Sequence, residues 1–129
     1  MTFDDGMAVR REVLGDAYVD RASARSTGFT ADWQEHITTT AWGAVWTRPG
    51  LDRRTRSMLT VALLAALGHH HELGVHVAGA IRNGVTPEEL GEVLLHTSVY
   101  AGVPAANSAF GVAQNVLAEL GLDSSRDLG

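Results

Sequence analysis

GHHHELGVHVAGAIRNG, residues 68–84, holds four of the six histidines of the chain beside one carboxylate. Read as a helix, it places His69, Glu72 and His76 at i, i+3 and i+7, on one face. Gly84 falls at a plausible C′ position and closes it. Immediately upstream, MLTVALLAAL (58–67) is apolar except for Thr60. That run is far short of the ~20 residues a bilayer requires. It reads as a core helix, or as one covered by a subunit partner. A titratable stripe therefore follows directly on the most apolar segment.

The flanking sequence continues in helices. Residues 1–7 read as a frayed start, Met7–Leu14 as a short amphipathic helix, and Asp16 as the N-cap of a second helix reaching about Arg25. Thr30 is the next expected N-cap, for a helix over 31–47. The large apolar residues there, Trp33, Ile37, Trp42, Val45 and Trp46, wander around the helix more than a solvated surface helix allows. Arg48-Pro49-Gly50 breaks it. A helix over about 53–67 precedes the opening stretch. Thr86-Pro87-Glu88-Glu89 then forms a capping-box signature, starting a helix that turns Leu90, Val93, Leu94 and Thr97 inward and ends near Gly102. A last helix runs from Pro104 to about Leu120, and the tail from 123 to 129 reads as disordered. No period-2 strand is evident. The expectation is an all-α fold of six or seven helices.

The totals restrict the function. At 129 residues the chain is expected to be one domain, with its core over about 7–121. A net charge of −5 and a pI near 5.6 argue against nucleic-acid binding, and no membrane-spanning run is present. All ten basic residues are arginine, and four of them, Arg48, Arg53, Arg54 and Arg56, cluster in nine positions. Such a cluster suits an acidic small molecule, or acidic partners in an interface. Absence of cysteine excludes disulfides and thiolate catalysis, and fits a reducing cytoplasm. The N-terminus lacks the apolar core of a signal peptide.

His71-Glu72 invites comparison with the zinc-protease HExxH motif, but the position that needs the second histidine is Val75. His71 and His76 lie roughly 140° apart around a helix, and His69 and His76 about 10 Å apart along its axis. No metal site is expected. Glu72 and His76, at i and i+4, suit an acid–base couple, in which the carboxylate orients the imidazole and raises its pKa. A surface pair worth a few tenths of a kcal/mol fits the same spacing equally well. His96 and Tyr100 repeat the i,i+4 arrangement, either as a second donor pair or as rings satisfied at a helix–helix seam. Trp42 and Trp46 could wall a pocket, although core packing is the commoner use. Arg48 and Arg56 could hold carboxylates bidentately, though a solvated or ion-paired arginine is the commoner state.

Four segments carry a resemblance: MAVRREVLGDAYVDR at 7–21, AWGAVWTRPGLDRRTRSMLT at 41–60, HELGVHVAGAIRNGVTPEELGEVLLH at 71–96 and YAGVPAAN at 100–107. Together they resemble the carboxymuconolactone decarboxylase family of the alkylhydroperoxidase D-like superfamily, over roughly residues 7–121. The resemblance implies an all-helical alkylhydroperoxidase D-like fold, assembled as a homohexamer (a trimer of dimers). It also implies cofactor-independent loss of CO2 from 4-carboxymuconolactone, giving the β-ketoadipate enol-lactone of the β-ketoadipate pathway. Superfamily members with peroxidase chemistry carry a CxxC pair ahead of a histidine. If His76 matches that histidine, His69 and Glu72 occupy the cysteine positions, and disulfide chemistry is closed to this chain.

On this reading Glu72, His76 and His96 are the catalytic candidates, and Trp42, Trp46, Arg48, Arg56, Tyr100 and Asn107 the substrate-binding candidates. The His69–His71 run and Gly74 look less usual for the branch. They motivate an alternative, a related enzyme acting on another enolisable lactone or polyketide ring. A third reading is a non-catalytic oligomeric binding protein on the same scaffold.

Overall fold

Thr2 starts the first helix where the sequence suggested fraying. In the computed structural model, which describes residues 2–122, its hydroxyl accepts from the Asp5 N–H at 3.1 Å. The Asp5 carboxylate accepts from the Thr2 N–H in return. This capping box satisfies amides that a helix start otherwise leaves bare, so α1 runs Phe3–Leu14. Asp16 is not the cap of α2 (Asp16–Ala24). Gly15 takes that place, with φ +88, and Asp16 sits inside the first turn, paired with Arg11. Thr30 does precede α3 (Ala31–Ile37), but its hydroxyl accepts from the Thr27 N–H rather than from an α3 amide.

Beyond Ile37 the backbone widens into nine residues of π-helix, Thr38–Trp46. Changing from i−4 to i−5 pairing upsets the one-to-one matching of amides and carbonyls. Threonine hydroxyls supply additional donors there: Thr38 to the Gln34 carbonyl, Thr40 to that of His36 and Thr47 to that of Gly43. The wandering apolar pattern is thereby explained, since Ile37, Trp42 and Trp46 advance by five and then four.

The remaining elements are α4 (Arg53–Leu67), α5 (His70–Arg82), α6 (Pro87–Ala101) and α7 (Val103–Glu119). Every described element is helical, and the expected tail at 123–129 lies outside the described residues. The Thr86/Glu89 capping box is formed, with Pro87 at N1. Gly84 follows α5 with φ +92 and Gly102 separates α6 from α7 with φ +97, backbone values that favour glycine.

Two compact units divide the chain, Met1–Arg56 and Ser57–Gly129. In the first, α1 packs on the π-helix through the backbone itself. A Cβ on Gly6 would lie 2.1 Å from the Thr38 carbonyl oxygen. In the second, α7 packs on α5 and α6, around a core that includes Val61, Leu73, Val77, Leu90, Leu94 and Ala109. The apolar run at 58–67 is not buried all round. Val61 and Ala65 face that core, whereas Leu59, Leu63 and Leu67 are 48%, 61% and 66% exposed.

Candidate active site

α5 buries Leu73, Val77 and Ala80 against the core of the second unit. Glu72 and His76 each precede a buried position, on the border between the packed and the solvated face. Glu72 is exposed and His76 half-buried. The expected in-line set loses its first member, because α5 begins at His70. His69 is its N-cap, outside the helix, with φ −86 and ψ 77. Among the described residues, no group of three His, Cys, Asp or Glu side chains could hold a metal ion.

The expected rise in the His76 pKa is reversed. Burial, which disfavours the imidazolium, pushes it down to about 4, and the opposing pull of the Glu72 charge is smaller. At neutral pH the imidazole is uncharged in this structure. It can accept a proton, or donate a neutral N–H to a developing oxyanion, but it holds no ready imidazolium.

The other candidates come together as pairs. Trp42, which is buried, and Trp46 stack with ring centroids 5.0 Å apart and an interplanar angle of 29°. The Arg56 guanidinium donates to the Arg48 carbonyl at 3.2 Å, while the Arg48 side chain is exposed. His96 and Tyr100 lie 5.1 Å apart, tilted by 42°. Both are exposed, so within this chain they form no buried seam. Asn107 is exposed on α7 and makes no hydrogen bond or ion pair with another candidate among the described residues. Of the remaining basic cluster, Arg53 pairs with Glu12.

Arg10 stands outside the candidates expected from sequence. It shares the buried face of α1 with Gly6, Val9, Val13 and Leu14, and a cation on an apolar stripe was the available signal. It lines a cavity of about 540 Å³ in the first unit. Arg11, beside it, is turned outward to Asp16 at 3.1 Å and Asp20 at 2.9 Å.

The family model described as "Carboxymuconolactone decarboxylase family" matches residues 31–115, which include Trp42, Arg48, Glu72, His76 and His96. The 4-carboxymuconolactone decarboxylase of Acinetobacter baylyi is 47% identical over 120 residues, covering 93% of this chain and 90% of its own. The nitrosuccinic acid decarboxylase of Metarhizium robertsii is 48% identical over 118 residues, covering 92% of this chain and 82% of its own. A 4-carboxymuconolactone decarboxylase sequence from Pseudomonas putida is 51% identical over 41 residues, which cover 32% of this chain and 85% of its own. With a family model spanning more than half of it and full-length relatives at this identity, the chain belongs to the carboxymuconolactone decarboxylase family.

Proposed function

We propose that this protein is a carboxy-lyase that removes CO2 from 4-carboxymuconolactone, yielding the β-ketoadipate enol-lactone. One observation carries the reading: 47% identity to a decarboxylase of that name across 93% of the chain. The chemistry suits a protein with neither cysteine nor lysine. The departing carboxylate sits on a carbon vinylogous to the lactone carbonyl. The electron pair of the breaking C–C bond therefore spreads into a furan-2-olate, and the enzyme has to stabilise that oxyanion and deliver one proton to carbon.

We assign those tasks to His76, with Glu72 as the group that biases its charge. Empty, His76 is neutral, because burial outweighs Glu72. A dianionic substrate adds negative charge beside the imidazole and favours its protonated form. His76 then takes up a proton as substrate binds and returns it to the ring carbon as CO2 leaves, so that the charges balance. His96, on α6, is the second-ranked donor. Arg48 and Arg56 are the proposed carboxylate anchors, Trp42, Trp46, Tyr100 and Asn107 the proposed pocket residues. The working form is a homo-oligomer, a hexamer as in the family, and the exposed Leu59, Leu63 and Leu67 stripe supports it.

Purified protein mixed with 4-carboxymuconolactone should release one CO2 per lactone consumed. His76→Ala, still folded, should lose on the order of 10²- to 10⁴-fold in turnover. Glu72→Gln removes the charge that favours imidazolium, so the alkaline limb of the rate profile should move to lower pH. Turnover of nitrosuccinic acid with the lactone left untouched would overturn the substrate assignment. A His76→Ala protein within a few-fold of wild type would pass the donor role to His96.

A further inference from the structure

Arg10 is only 6% exposed, and no carboxylate among the described residues pairs with it. Its Nη1 donates to Gln34 Oε1 at 3.1 Å and to Thr38 Oγ1 at 3.3 Å, both neutral oxygens. The Thr38 hydroxyl is free to accept, because its own proton goes to the Gln34 carbonyl at 2.7 Å. Arg10 Nε is buried, with no hydrogen-bond partner among the described residues. A guanidinium does not give up its proton in a protein, and an isolated buried cation is among the costliest groups to fold around.

The same side chain lines the 540 Å³ cavity, a volume within the range of small-molecule sites. Phe3 and Met7 provide apolar surface there, and Ser23 and Ser26 provide hydroxyls. Glu35 also lines it without pairing with Arg10, and its negative charge disfavours a polyanion. A singly charged group with an apolar body fits this combination best. A carboxylate is the anion whose two oxygens match a guanidinium edge.

We propose that this cavity is a binding site for a small organic monocarboxylate, its carboxylate compensating Arg10 and its body lying against Phe3 and Met7. The proposal goes beyond the decarboxylase reading and uses neither Glu72 nor His76, so each can fail without the other.

Benzoate is a suitable probe, with benzamide as its neutral counterpart and sulfate as an anion without a carbon body. Titrated into the intact protein, benzoate should shift the Arg10 Nε–H NMR signal saturably and raise Tm. Benzamide and sulfate should bind at least roughly 10-fold more weakly, the loss expected for a charge-assisted contact. Arg10→Met should lose benzoate binding by a similar factor. Should that variant fail to fold, Ala31→Trp, at an exposed position on the cavity wall, should block binding with the guanidinium intact. An unmoved Arg10 signal, equal binding of benzamide or sulfate, or wild-type binding by Ala31→Trp would each overturn the proposal.

Discussion

At His76 two electrostatic effects compete, and the loss of water wins over the nearby carboxylate. The consequence for stability has a definite sign. With the imidazole pKa lowered from 6.5 to about 4, the unfolded chain binds more protons than the folded one between those values. This contribution is complete above pH 6.5 and is lost as pH falls toward 4, up to ~3 kcal/mol at 1.36 kcal/mol per pKa unit. Denaturant unfolding of wild type and His76→Asn across that range should diverge accordingly, with wild type losing more at acid pH. The spacing of Glu72 and His76 was legible in sequence, but the sign of the pKa shift was not, because desolvation is set by tertiary packing. Arg10 and Arg11 make the same point: adjacent and identical in sequence, one is buried against Gln34 and Thr38 while the other pairs at the surface with Asp16 and Asp20.

Glycine substitutions separate two kinds of helix contact. α1 and the π-helix touch backbone to backbone, and a Gly6 Cβ would meet the Thr38 oxygen at 2.1 Å and the Gly43 nitrogen at 2.8 Å. Neither atom can swing away as a side-chain tip can. Gly6→Ala should destabilise by several kcal/mol, about the upper range for single substitutions. On α5, a Gly74 Cβ would lie 3.5 Å from Val116 Cγ2 and 3.6 Å from Val112 Cγ1, which is ordinary contact. Gly74→Ala should therefore stabilise, by roughly 0.5–1 kcal/mol, because glycine costs that much in a helix interior. Thermal melts of the two variants should move in opposite directions. Helix ends with local chemistry were readable from sequence, as at Thr86–Glu89 and Gly84. The Thr2–Asp5 cap is a Thr-x-x-Asp form of the same pattern, whereas the expectation for residues 1–7 was a frayed start. The five-then-four spacing of Ile37, Trp42 and Trp46 was visible as irregularity, yet no α-helical template accounts for it.

At the scale of the molecule, the seven α-helices among the described residues leave apolar surface that no described residue covers. A sequence apolar all round is compatible with a core helix or a subunit contact, and α4 is buried along one side only. Val61 and Ala65 supply the core, and Leu59, Leu63 and Leu67 remain outside. Sedimentation should show a species heavier than the 13.7 kDa chain. Leu63→Arg, at an exposed position, should shift it toward monomer with unchanged helicity. A monomeric wild type at micromolar concentration would remove the basis for the proposed assembly. The junction at Gly102 bears on how the chain reaches this state. With one residue between α6 and α7, almost no chain has to be ordered to bring them together, and their contacts are close in sequence. This hairpin should be structured in the folding transition state. Ala109→Gly, on the buried face of α7, should slow refolding and leave the unfolding rate nearly unchanged, whereas Val61→Ala in α4 should act mainly by accelerating unfolding.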